Sequence, residues 1–253
     1  MRRMHSLIDT HIHLAAPELT GTGPALLAQA RHSGITAFVV PGVRASDWQQ
    51  LLAFADQQTD VFAAPGLHPA YAEQWGADTE NQLRQYCQHP KVIAIGEIGL
   101  DGVAGPALKK QERVLRSQLQ IAVAANLPVL LHARKATGRL LAILRELQIG
   151  TNIGGIWHGF SGSLQTAQEL VRLGFKIGVG PIILRESARK LPAAICELPP
   201  ESLVLETDFP DMAEHPEALR LVAQEVAKLR GWTLEETARI TTKNSRALFK
   251  ITL

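Results

Sequence analysis

Eight short apolar runs, separated by helix-length segments, constrain the fold of this chain most strongly. Most of these runs are continuously apolar rather than alternating, which is typical of strands that are buried on both faces in a parallel sheet. They cover residues 7–9, 35–40, 61–65, 92–97, 128–132, 155–158, 175–179 and 203–206. Strand and helix alternate along the whole chain, without a linker, a charge block or a low-complexity stretch.

The number of repeats favours one fold class. Eight βα repeats in 253 residues predict an α/β protein with a single closed (β/α)8 TIM-type barrel, in which residues 1–253 form one domain. The alternative is a doubly wound open sheet, which usually needs fewer strands and a glycine-rich first turn. Here the first turn carries histidines instead.

Local signals predict where several helices begin and end. Thr22 and Pro24 open the first helix, with a threonine cap and a proline in the first turn, and Gly34 follows its end. Thr233 and Glu236 have capping-box spacing and start the last helix. The apolar face of the helix before the fifth strand comprises Leu115, Leu119, Ala122 and Val123.

Composition and charge exclude several classes of protein. The net charge of +2 is too small to argue for a nucleic-acid or membrane surface, so an anionic substrate must be recognised locally. No apolar run reaches transmembrane length, and Asp9, His11 and His13 interrupt what would be the core of a signal peptide. Cys87 and Cys196 are predicted to be buried thiols in a reducing compartment rather than a disulfide. We therefore expect a cytoplasmic protein with no membrane partner and no obligate protein partner.

Five histidines and two carboxylates stand where predicted strands end. In an extended backbone, residues two apart face the same side, so His11 and His13 can present both imidazoles to one point. A barrel gathers the carboxyl ends of its strands at one mouth, and its closure would bring Asp208 beside His11 and His13. The strand-end set is His11, His13, His68, Glu97, His132, His158 and Asp208, with Arg134 two residues beyond His132.

These residue types predict a metal site. Imidazole and carboxylate suit zinc, manganese or a similar divalent ion, and the lack of thiolate ligands argues against a structural zinc site. Four histidines and two carboxylates exceed what one four-coordinate ion needs, so two divalent cations (Zn, Mn or Mg) are predicted. The predicted ligands are His11, His13, Glu97, His132, His158 and Asp208. Two such ions, roughly 3.5–4 Å apart, stabilise the attacking and leaving oxygens of a displacement, which predicts hydrolysis.

Other interpretations exist for each residue taken alone. A lone histidine at a strand end is usually hydrogen-bonded or solvated, and this interpretation is given to His5, His32, His89 and His215. Glu97 and Asp208 could each cap a following helix. Arg134 and Lys135 are most often a solvated loop. The joint pattern, rather than any single residue, favours the metal site.

Several motifs resemble the TatD family of metal-dependent hydrolases, within the amidohydrolase-like barrels. The resemblance is collinear and includes Asp9-Thr10-His11-Ile12-His13-Leu14 and Gly96-Glu97-Ile98-Gly99-Leu100-Asp101. The other matching segments are 66–69, 127–134, 158–162, 206–210 and 244–249. The chain looks closest to the YjjV-like branch through residues 159–165 and 176–180.

The resemblance implies how the ligands are shared and what the protein does. His11, His13 and Asp208 would hold one metal, His132 and His158 the other, with Glu97 shared between them. Members of the family are described as deoxyribonucleases, some as exonucleases, and some relatives as deacylating misacylated tRNA. The chain departs from the family pattern in its substrate-facing loops, at Ala15, Ala70, Gly102, Val103 and the short segment 211–216.

Three functions are therefore considered. The first is a two-metal phosphodiesterase, with DNA as one candidate substrate, in which Asp208 and Glu97 are catalytic. Asp208 would orient the nucleophile and accept its proton, while Arg134 and His68 bind the substrate and neutralise its non-bridging oxygens. The second is an amide, ester or lactone hydrolase; many barrels of that kind use a modified lysine after strand four, where this chain has Glu97. The third is a non-catalytic scaffold, against which the complete ligand set argues.

Overall fold

A computed structural model describes residues 6–19 and 21–252 of the chain, so His5 lies outside the described residues. The chain divides into two compact units. The terminal unit comprises the described residues of 1–40, 158–172 and 176–253. The central unit comprises residues 41–157 and 173–175. The expectation of one domain over residues 1–253 stays a prediction.

All eight predicted strands are present, and they alternate with helices. The strands are β1 (Leu7–Asp9), β2 (Ile35–Pro41), β3 (Val61–Ala64), β4 (Ile95–Asp101), β5 (Val129–Arg134), β6 (Gly155–Trp157), β7 (Phe175–Val179) and β8 (Leu203–Leu205). The α-helices are α1 (Gly23–His32), α2 (Trp48–Asp56), α3 (Ala77–Tyr86), α4 (Leu108–Ala125), α5 (Thr137–Glu146), α6 (Ile149–Asn152), α7 (Leu164–Arg172), α8 (Lys190–Glu197), α9 (Leu219–Arg230) and α10 (Leu234–Phe249). Short 3₁₀ helices cover Pro17–Leu19, Ala45–Asp47, Pro69–Gln74, Pro181–Leu184, Pro200–Ser202 and Pro216–Ala218.

In the terminal unit, the last strand lies beside the first. β1 pairs with β2 and β7 pairs with β8, both in parallel. The backbone N–H and the hydroxyl of Thr10 both donate to the carbonyl of Leu205, each at 3.0 Å. Helix α10 packs against the same strands, and Asn244 Nδ2 donates to the carbonyl of Leu203 at 2.8 Å. The carboxyl ends of the first strand, β1, and the last strand, β8, therefore lie next to each other.

In the central unit, two strands are longer at their carboxyl ends than predicted. β4 is parallel to β5 and β5 to β6, while Ala63 of β3 bridges to Val92. β4 begins at Ile95 rather than at residue 92, and continues to Asp101 because residues 99–101 pair with residues 132–134 of β5. The prediction that Glu97 and His132 end their strands is therefore wrong. Both side chains project from within strands that continue past them.

Two of the three helix predictions need correction. The capping box of α10 is confirmed: Thr233 Oγ1 accepts from Glu236 N at 3.1 Å, and Glu236 Oε2 accepts from Thr233 N at 2.8 Å. Thr22 does not cap α1, because its backbone is helical and its hydroxyl donates to the Leu19 carbonyl instead. Val123 is 37 % exposed, since it lies about 100° around the helix from the buried Ala122.

The two cysteines are free thiols. Cys87 is half-buried, and burial raises its pKa to about 11. Cys196 is exposed, so the prediction of two buried thiols is wrong for this residue, which lies on the solvent side of α8. Among the described helices, none combines the length and the apolar character that crossing a bilayer requires. The cytoplasmic location stays a prediction.

Candidate active site

The loops after β1 and β8 are tied together by their backbones. Asp208 N donates to the His11 carbonyl at 2.8 Å, and His13 N donates to the Phe209 carbonyl at 2.8 Å. Asp208 has a φ of 49°, in the left-handed region that L-residues other than glycine rarely adopt. Such backbone strain is typical of functional sites, where surrounding structure holds it in place.

Three histidines surround Asp208 in the terminal unit, and we call this group the terminal cluster (His11, His13, His158 and Asp208). His13 Nε2 lies 3.3 Å and His11 Nε2 lies 3.6 Å from Asp208 Oδ1. The ring of His158 stacks on that of His11, with centroids 4.0 Å apart and planes 13° apart. All four side chains are buried. The structure thus brings Asp208 beside His11 and His13, as the sequence analysis expected.

The histidines determine the charge state of Asp208. Burial by itself would raise the pKa of its carboxyl, but the hydrogen bond with His13 and the charges of His158, His11 and His13 outweigh this effect. The net result is a pKa well below the ordinary range, so the carboxyl is ionised at neutral pH. A buried carboxylate among imidazoles is a donor set that fits a divalent cation.

Two further buried carboxylates support the terminal cluster, and sequence reasoning missed both roles. Asp9 accepts hydrogen bonds from His11 N at 3.2 Å, Thr207 N at 3.1 Å and Thr207 Oγ1 at 2.6 Å. Because burial outweighs these bonds, the pKa of Asp9 is raised to about 8. Glu206 Oε1 lies 3.7 Å from His158 Nδ1, directly behind that ring. Asp9 and Glu206 both lie in motifs that resemble the TatD family, and this resemblance was the sequence signal that could have identified them.

A second group lies in the central unit, and we call it the central cluster (His68, Glu97, Asp101 and His132). His132 Nδ1 lies 2.7 Å from Glu97 Oε1, and His132 Nε2 lies 3.3 Å from Asp101 Oδ2. His68 Nε2 lies 3.7 Å from Glu97 Oε1, and its ring centroid lies 4.4 Å from that of His132. The buried Glu97 carboxylate therefore faces two imidazoles.

The hydrogen bonds of His68 indicate its tautomer. Ala70 N donates to His68 Nδ1 at 3.1 Å, so the proton of the neutral ring is on Nε2. Nε2 is then a donor that faces Glu97, rather than a lone pair available to a metal. This arrangement suits a side chain that donates to a substrate oxygen.

Asp101 was not predicted as a site residue. Its Oδ1 accepts from Val103 N at 2.7 Å and Ala104 N at 2.9 Å, which leaves Oδ2 facing His132. Burial would raise its pKa, but these hydrogen bonds and the charge of His132 lower it overall. A carboxylate behind one ring nitrogen is the usual partner of a metal-binding histidine, because it orients the ring and increases the basicity of the other nitrogen.

Side-chain atoms of the types that bind metals lie close together in each cluster. Ligand atoms of His11, His158 and Asp208 lie within 4.8 Å of one another, and so do those of His68, Glu97 and His132. Arg134 is exposed at the end of β5, and the following Lys135 has a φ of 51°. The expectations that His132 and His158 share an ion and that Glu97 bridges two ions stay predictions.

Known proteins resemble this chain over nearly its whole length. The sequence profile of the family "TatD related DNase" matches residues 8–250. The "uncharacterized metal-dependent hydrolase YjjV" of Escherichia coli is 36 % identical over 96 % of this chain and 98 % of its own length. The "3'-5' ssDNA/RNA exonuclease TatD" of Erwinia amylovora is 31 % identical over 96 % of this chain and 99 % of its own length.

A solved structure supports the fold class. The crystal structure of the TatD homologue YjjV from Escherichia coli matches with a TM-score of 0.91 over 97 % of this chain and 98 % of that chain, at 36 % identity. The predicted α/β barrel class is confirmed by this match and by more distant TatD and amidohydrolase structures.

Proposed function

We propose, from the premise that the chain belongs to the TatD family of metal-dependent hydrolases, that it cleaves phosphodiester bonds in single-stranded nucleic acid. A relative that is 31 % identical over nearly the full length is named as a 3'-5' ssDNA/RNA exonuclease, which supports this substrate class. The observation that carries the proposal is the ionised Asp208 carboxylate enclosed by three buried histidines.

We assign the metal ligands by cluster. In the terminal cluster, His11, His13, His158 and Asp208 supply imidazole and carboxylate donors to one divalent cation. In the central cluster, Glu97 and His132 supply donors to another, with Asp101 behind His132. Zinc, manganese and magnesium are the candidate ions. When bound, such ions act as Lewis acids that polarise the phosphoryl oxygens and activate water.

Asp208 has the chemistry of a base that positions water. Its carboxylate is ionised at neutral pH, and the strained backbone and the two hydrogen-bonded loops fix its orientation. It orients the attacking water and accepts its proton. Because the carboxylate is already charged before the reaction, no proton must leave it at the start of turnover.

Two side chains, His68 and Arg134, donate hydrogen bonds to the substrate. His68 carries its proton on Nε2, so it can donate to a non-bridging phosphoryl oxygen while remaining neutral. Arg134 is exposed at the end of β5 and can pair with phosphate oxygens through its planar guanidinium. Both side chains bind and orient the substrate and take no part in proton transfer.

The proposal is tested with a substrate panel. The protein is incubated with Mn²⁺, Zn²⁺ or Mg²⁺ and either a 5'-labelled single-stranded oligonucleotide or aryl ester and amide substrates. We expect metal-dependent shortening of the oligonucleotide from its 3' end. Asp208→Asn should reduce the rate by about 10²- to 10⁴-fold in a protein that still folds, because the base is lost and the shape is kept. Asp78→Asn, at an exposed position in the first turn of α3, is the control.

Three results contradict the proposal. Near-normal turnover by Asp208→Asn would remove this residue from the mechanism. Cleavage of esters or amides with an intact oligonucleotide would instead support the amide or ester hydrolase. A protein that hydrolyses nothing in the panel and binds no metal would support the scaffold.

A further inference from the structure

Helix α4 carries two buried glutamines on one face. Gln111 and Gln118 are each 1 % exposed and lie seven residues apart, which is two helical turns. A buried primary amide costs free energy unless its oxygen and its N–H groups all find partners. The partners of both amides are backbone groups next to the central cluster.

Gln118 pairs with both backbone polar groups of a single residue, Leu67. Its Oε1 accepts from Leu67 N at 2.7 Å, and its Nε2 donates to the Leu67 carbonyl at 3.1 Å. Leu67 is itself buried and directly precedes His68. The side-chain amide therefore satisfies the N–H and the carbonyl of Leu67, as a neighbouring strand would. It also fixes the backbone from which His68 projects.

The rest of the His68 environment depends on that backbone. His68 N donates to the Val43 carbonyl at 3.0 Å, and His68 Nδ1 accepts from Ala70 N. The second bond sets the tautomer that leaves Nε2 as a donor toward Glu97. A shift of Leu67 would move the imidazole and its donor direction together.

Gln111 holds the other loop of the cluster. Its Oε1 accepts from Asp101 N at 2.8 Å, and its Nε2 lies within hydrogen-bonding distance of the carbonyls of Asp101 (2.9 Å), Ala104 (3.1 Å) and Pro106 (2.8 Å). The turn that this amide closes is the one whose N–H groups bind Asp101 Oδ1. Gln111 thus fixes the carboxylate that faces His132.

We propose that Gln118 and Gln111 are positioning residues: Gln118 sets His68 for the substrate, and Gln111 sets Asp101 and through it the ligand His132. This inference rests on the proposed function, which assigns His68 to the substrate and His132 to a metal. It predicts different consequences for the two glutamines. A merely structural role for both amides predicts a loss of stability in each variant and no other change.

The experiment compares Gln118→Met and Gln111→Met with Gln120→Met, a control at an exposed position on the same helix. Methionine keeps the length and removes the amide. Each protein is titrated with Co²⁺ and followed by its visible absorption, and kcat and KM are measured on the oligonucleotide below the unfolding temperature.

We expect Gln111→Met to weaken Co²⁺ binding at one site by about 10- to 100-fold and to change its absorption spectrum, as loss of the group behind a metal-binding histidine does. We expect Gln118→Met to keep wild-type Co²⁺ binding and to lower kcat/KM by about 10- to 100-fold, because a donor has moved. The control should match the wild type in every measurement.

Wild-type Co²⁺ spectra and kcat/KM in both variants, with only their unfolding temperatures lowered, would overturn the inference. If Gln118→Met does not fold, Gln118→Asn keeps a polar amide but moves it away from Leu67 by one methylene, and it should show the same loss of kcat/KM. A wild-type protein that fails to cleave the oligonucleotide contradicts the proposed function. The Co²⁺ titration of Gln111→Met still decides the positioning role in that case.

Discussion

Individual buried acids carry most of the chemistry at the residue scale. The sequence pattern predicted Asp208 and Glu97 as site residues, because each lies at the end of an apolar run. It did not identify the roles of Asp9, Asp101 or Glu206, because these depend on partners that become neighbours only in the folded chain. Thr207, for example, is 198 residues from Asp9 and donates to it twice.

The position of the Glu206 carboxylate leads to a prediction about the stability of a variant at Gly178. A Cβ at Gly178 would lie 2.3 Å from Glu206 Oε2, and the position is within β7, where the backbone has little freedom to move. We expect Gly178→Ala to lower the free energy of unfolding by about 1–3 kcal/mol, measured by urea denaturation.

At a matched control glycine, Gly138, we expect substitution by alanine to have the opposite effect on the free energy of unfolding. Gly138 lies in the first turn of α5, and a Cβ there meets nothing within 4 Å. Gly138→Ala should raise the free energy of unfolding by about 0.5–1 kcal/mol, because alanine loses less backbone entropy in a helix. A neutral Gly178→Ala would show that the Glu206 carboxylate is free to move.

At the scale of elements, the sequence located every strand but not every strand end. Apolar runs predicted β1 and β7 at their observed bounds, because their ends coincide with a change to polar residues or glycine. β4 and β5 continue past the apolar run since their pairing continues through Asp101 and Arg134, which no local pattern reveals. Helix ends were predictable where side chains act locally, as in the capping box of α10.

The capping box leads to a stability prediction. Thr233→Ala removes the acceptor for Glu236 N, and we expect a loss of about 1 kcal/mol in the free energy of unfolding. Thr59→Ala, at an exposed position before β3, should leave the free energy of unfolding nearly unchanged. Equal losses in both variants would show that the cap contributes nothing.

The same capping box predicts that the stability of the fold depends on pH. The hydrogen bonds from Thr233 N and Thr233 Oγ1 lower the pKa of Glu236 below its ordinary value of 4.5. A lowered folded-state pKa stabilises the fold above pH 4.5, and this contribution disappears as the pH falls through the lowered value. Glu236→Ala should therefore melt below its neighbour Glu235→Ala at pH 7, and the difference should shrink in acid. A difference that is independent of pH would contradict the assignment.

At the scale of the whole molecule, each unit presents its own set of candidate metal donors. The sequence predicted seven of these residues from the ends of apolar runs, because parallel strands collect their carboxyl ends at one edge; they are His11, His13, His68, Glu97, His132, His158 and Asp208. It did not predict Asp101. It could not predict how each imidazole is oriented. The hydrogen bond that His68 Nδ1 accepts from Ala70 N follows from the geometry of the loop after β3. The contacts of His132 with two carboxylates follow from the position of β5 beside β4. These contacts distinguish the proposed substrate donor from the proposed metal ligand.

Metal content measured per protein chain, by mass spectrometry after reconstitution and desalting, tests this claim most directly. We predict two equivalents in the wild type, about one in His11→Ala/His13→Ala, about one in His132→Ala, and two in His32→Ala, an exposed histidine of α1. Fewer than one equivalent in the wild type, or no loss in either cluster variant, would contradict the account.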